Sequence, residues 1–66
     1  MSGKNIKVGL AEISRTQRWL LTELEARGLV TSETELSHTL AGRRHGPKAE
    51  RVLRLAETII NEHRAS

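Results

Sequence analysis

Ile6, Leu10 and Ile13 recur at i, i+4 and i+7, placing them on one stripe of a helix that runs from Lys4 or Asn5 to Ile13. Gly9 in its middle costs about 1 kcal/mol relative to Ala, a cost with a purpose if the glycine lets a neighbouring helix come close. Leu20, Leu21 and Leu24 mark the buried side of a second helix over residues 16–27. Its start has two candidate caps: Ser14, with Gln17 three residues on, or Thr16. Gly28 is a left-handed stop, after which Leu29 and Val30 are expected to tuck beneath the turn.

A third helix opens at Ser32-Glu33-Thr34-Glu35, the S-x-x-E capping box, in which Ser32 accepts from a free amide and Glu35 reaches back. It runs to Ala41 and stops at Gly42. The fourth starts at Pro47, whose fixed φ and missing N–H suit a first helical turn, and continues to His63. Val52, Leu53, Leu55, Ala56, Ile59 and Ile60 give it an apolar face wider than three short helices can cover, so the surplus is the expected seam of a dimer. Strand-like alternation is nearly absent. The pattern predicts a compact, all-α, four- or five-helix domain over residues 1–66, with the first and last few residues frayed.

A chain of 66 residues buries only about 60% of the surface its unfolded form exposes. That leaves little room for a deep pocket beside a stable core, and favours action across an outer surface. With no Cys, neither a disulfide nor a thiolate zinc site holds it together. His38, His45 and His63 have no metal-ligand spacing, and neither a nucleophile–base–orienter set nor a Gly-rich phosphate loop is present. The expectation is a non-enzyme without metal or cofactor. No apolar run approaches a membrane span, and the opening residues lack the apolar core of a signal peptide, so the expected setting is cytoplasmic.

The formal charge is +3, and its placement says more than its size. Between Arg43 and Arg54, five cations (Arg43, Arg44, Lys48, Arg51 and Arg54) face a single carboxylate, Glu50. The positive charge lies just after the third helix, which implies an anionic partner.

The third helix is what that charge flanks. At 3.6 residues per turn, Leu36, Thr39 and Leu40 share one side, while Thr34, Ser37, His38 and Ala41 share the other. Every residue of that outer face is small or uncharged at neutral pH. Glu33 and Glu35 fall to its edges in the first turn, where the helix dipole favours anions. Two helices joined by a short turn can lay the second in the DNA major groove while their ends grip the backbone.

Thr16-Gln17 opening the second helix, Leu20 and Leu24 within it, Leu36-Ser37 in the third, Gly42 with Arg43 and Arg44, and Pro47-Lys48 opening the fourth together resemble the Cro and lambda-repressor-like helix-turn-helix family. The resemblance to this xenobiotic-response-element type spans Ile6 to Ile60. It implies a compact helical DNA-binding domain, a small bacterial or phage transcriptional repressor that binds duplex operators as a homodimer. Carried over by position, Thr34, Ser37, His38 and Ala41 would read bases. Gln17, Arg18, Arg43, Arg44 and Lys48 would hold phosphates. Two features depart from the family pattern. The stretch from Gly28 to Leu36 is two residues longer than the usual turn, and Thr39 and Leu40 exchange the usual aliphatic and polar positions.

Two rival readings use the same scaffold: a helical protein-interaction module without a DNA target, such as an antirepressor or adaptor, and an architectural or excision factor that bends DNA. Trp19, the sole aromatic, is expected at the core edge against the fourth helix, or else as a dimer anchor.

Overall fold

A computed structural model of the chain describes residues 3–65. The frayed ends expected from the sequence fall partly on residues outside that range. Within it the fold is all-helical: α1 (Gly3–Glu12), α2 (Gln17–Ala26), α3 (Glu33–Leu40) and α4 (Pro47–Ala65), with no strand among the described residues. α4 packs against each of the other three helices, and α3 likewise.

The core is the sum of the apolar stripes. Ile6 and Leu10 of α1, Leu20 and Leu24 of α2, Leu36 and Leu40 of α3, and Val52, Ala56, Ile59 and Ile60 of α4 form one buried cluster. Two polar residues join it without an unmet hydrogen bond. The Thr39 hydroxyl donates to the Glu35 carbonyl at 2.8 Å, and the Thr31 hydroxyl donates to the Glu35 carboxylate at 3.2 Å.

Gly9 sits where α1 crosses α4. A Cβ there would meet Ile60 Cγ2 at 3.0 Å and Cδ1 at 3.2 Å, so the glycine is kept by close approach. Little of the expected spare face of α4 is left over. Val52, Ala56, Ile59 and Ile60 are consumed by the chain's own core, and Leu53 and Leu55 pack partly against it. The other three helices all pack against α4, which a count of apolar residues does not anticipate.

Three helices end in the same way, with paired backbone bonds running back past a left-handed residue. After α2, Leu29 N donates to Leu24 O and Gly28 N to Glu25 O, with Gly28 at φ +88. After α3, Arg43 N donates to His38 O and Gly42 N to Thr39 O, with Gly42 at φ +79. After α1, Arg15 N donates to Leu10 O and Ser14 N to Ala11 O, but the left-handed residue is Ser14, at φ 58. Ser14 therefore closes α1 and does not cap α2. Thr16 is the cap, its hydroxyl accepting from Trp19 N at 3.1 Å.

Leu29 packs against the core beneath its turn as expected, but Val30 does not and is 74% exposed. The chain turns through Leu29 toward Thr31, and only one of the two apolar neighbours can face inward. Trp19 lies half-buried at the core edge. Its ring meets the His63 ring of α4 edge-on at 4.6 Å between centroids, and the Arg15 guanidinium lies 5.3 Å from the indole centroid.

Candidate nucleic-acid interface

The buried Leu36, Thr39 and Leu40 fix the rotation of α3. The opposite face is thereby turned to solvent: Thr34, Ser37 and Ala41 are exposed and His38 is half-buried. Ala41 stands one residue past the last turn of α3 as its C-cap. The Ser32 hydroxyl caps the other end, accepting from Glu35 N at 3.0 Å.

Only half of the expected capping box is formed. The Glu35 carboxylate does not return to the cap. It accepts from Lys48 Nζ at 3.1 Å and from the Thr31 hydroxyl. The Lys48 hydrogen bond, followed by the attraction of its charge and the Thr31 hydrogen bond, holds the Glu35 carboxyl below the usual carboxylate range. Arg44 adds to that effect from further away. Glu35, Arg44, His45 and Lys48 line one hollow of about 60 Å³ between the start of α3 and the start of α4.

Arg43 and Arg44 lie in the exposed turn between Gly42 and Gly46. Neither is drawn into an ion pair among the described residues, in contrast to Lys48. Nothing packs against either glycine of this turn: a Cβ on Gly42 or Gly46 would meet nothing within 4 Å. Pro47 then begins α4, and Glu50 N donates to Gly46 O at 3.0 Å to close its first turn.

Gln17 and Arg18 open α2 in a different part of the surface, Gln17 half-buried and Arg18 exposed. Gln17 shares a shallow hollow with Lys7 and Arg15. Neither cation is conspicuous in the sequence. Lys7 lines the same hollow as Gln17 although ten residues separate them, and Arg15 follows the reversal at Ser14. Local spacing carries no signal for the first, and the proximity of Arg15 to Thr16 is the only one for the second.

The arrangement therefore offers an uncharged helical face, two unengaged guanidiniums beyond its C-terminal end, and a polar and basic group at the start of the preceding helix. Among the described residues there is no group of three or more His, Cys, Asp or Glu placed to hold a metal ion. Among the same residues no helix is long and apolar enough to cross a membrane. Compared with known proteins, the chain matches no family model, no curated protein and no solved structure.

Proposed function

We propose that this chain is a helix-turn-helix protein of the Cro and lambda-repressor-like kind that binds duplex DNA in a sequence-dependent way and acts as a small transcriptional regulator. α3 enters the major groove with Thr34, Ser37, His38 and Ala41 toward the base edges. Arg43 and Arg44 hold phosphates beyond it, and Gln17 and Arg18 hold them at the start of α2. The observation that carries the reading is that α3 turns a face free of carboxylates outward while two unpaired arginines follow it.

Lys48 joins the phosphate contacts by exchanging Glu35 for DNA. No Arg, Asn or Gln stands on the outer face of α3, so the strongest bidentate base contacts are missing. Specificity then rests on groove shape and on Arg44 at the groove edge.

With extents of 30 × 23 × 17 Å, one copy covers less than a turn of duplex, and a homodimer places two copies on half-sites about 34–36 Å apart.

The test is duplex binding across a salt series. The logarithm of the affinity falls with a slope of about −0.9 per phosphate neutralised. Replacing Arg43→Ala together with Arg44→Ala flattens that slope and weakens cognate and random duplex alike. A slope unchanged by the double substitution overturns the phosphate role, and absence of duplex affinity favours the protein-interaction reading instead.

A further inference from the structure

A cleft that shares no residue with α3 lies on the flank where the end of α2 meets the middle of α4. Arg27, Leu29, Arg51, Arg54, Leu55 and Thr58 line it, around a space of about 420 Å³. Leu29 and Leu55 are half-buried, each giving one side to the core and leaving the other as the floor of the cleft. Arg51 and Arg54 are three residues apart on one face of α4, both exposed, and neither takes part in an ion pair among the described residues. Arg27 is different. Its guanidinium is held by both oxygens of Glu62, so it forms a fixed wall and not an available charge.

We propose that this cleft is a docking site for an acidic peptide segment of a partner protein, one that carries an apolar side chain between carboxylates. The apolar side chain rests on Leu29 and Leu55, and the flanking carboxylates meet Arg51 and Arg54. A guanidinium takes a carboxylate through two parallel hydrogen bonds, and exposed arginines beside an apolar floor complement such a segment in both charge and hydropathy. A bare phosphate, or the backbone of a duplex, uses the two arginines but has nothing to place on Leu29 and Leu55. None of Thr34, Ser37, His38, Ala41, Arg43 and Arg44 lines the cleft, so it is built from residues other than those proposed to meet DNA.

The test uses fluorescence anisotropy with a labelled synthetic peptide alternating Asp and Leu, the same peptide with Lys in place of Asp, inorganic phosphate as competitor, and the full chain. The Asp–Leu peptide binds and the Lys–Leu peptide does not. Arg51→Glu with Arg54→Glu weakens peptide binding at least about tenfold, while the helical circular dichroism of the chain is retained because both side chains are exposed. Arg43→Ala with Arg44→Ala leaves peptide binding unchanged, which separates this site from duplex binding. Failure of the Asp–Leu peptide to bind overturns the proposal. So does binding indifferent to the Arg51 and Arg54 substitutions, or displacement by phosphate at concentrations matching those of the peptide.

Discussion

Two glycines of this chain answer opposite demands. Gly9 lies inside α1 with Ile60 of α4 pressed against the place a side chain would fill. Gly42 lies in open space with φ +79, a backbone conformation that other residues rarely adopt. The first is small so that two helices can touch. The second is a glycine so that the chain can reverse and present Arg43 and Arg44. One region spends its residues on contact within the molecule, and the other leaves side chains unengaged for something outside it. Exposed guanidiniums that make no ion pair among the described residues are where an anionic partner is to be sought.

Substitutions that act on one region and spare the other sharpen this contrast. The largest effect belongs to the core beneath α3. Leu36 is fully buried, and Leu36→Ala costs about 2–5 kcal/mol of folding stability, read from the denaturant midpoint. A wild-type midpoint would refute the placement of α3. Next is the α1–α4 crossing, where Gly9→Val costs about 1–3 kcal/mol by overpacking. Ile60→Ala in the same chain removes both clashing atoms, so the two substitutions couple by less than their sum. Strict additivity would mean that the helices do not cross at Gly9.

A smaller effect has the opposite sign. Ser14 holds a left-handed conformation at φ 58, and Ser14→Gly relieves it for a gain of about 0.5–1 kcal/mol; a loss would contradict the Schellman-type ending of α1.

The smallest effect concerns Glu35, whose folded carboxyl titrates below its ordinary range because of Lys48. The sign follows from that direction. The contribution of the pair is present above the unfolded carboxylate pKa of about 4.3 and is lost as pH falls through the lower folded value. Carbon-detected titration of the Glu35 carboxyl gives a midpoint that rises in Lys48→Ala; an unmoved midpoint would remove Lys48 as the cause.

The helices were legible because their apolar stripes and stop signals agree. Ser32, Gly28, Gly42 and Pro47 each mark a boundary through a local rule, and α2 and α3 lie within a residue of their expected limits. The uncharged outer face of α3 followed from periodicity alone, and Leu36, Thr39 and Leu40 all face inward. What escaped the sequence is tertiary. The Lys48–Glu35 pair joins residues thirteen apart, and no local spacing distinguishes it from the reciprocal capping box. The exposure of Val30 depends on which way one turn faces, and the burial of most of α4's apolar face depends on how three other helices pack against it. Of the two candidate caps for α2, Thr16 is the cap and Ser14 closes α1 instead; a serine at a left-handed C′ position leaves no glycine signal. The base-reading and phosphate-holding roles drawn from the family resemblance rest on position, and duplex DNA is what tests them.

The most direct measurement is an amide chemical-shift map of the chain titrated with a short duplex at low ionic strength. The account predicts that Thr34, Ser37, His38, Arg43 and Arg44 move together with Gln17, while Gly9 and the α1–α4 seam stay still. If the duplex saturates and the outer face of α3 does not move, the claim that this face meets DNA is wrong.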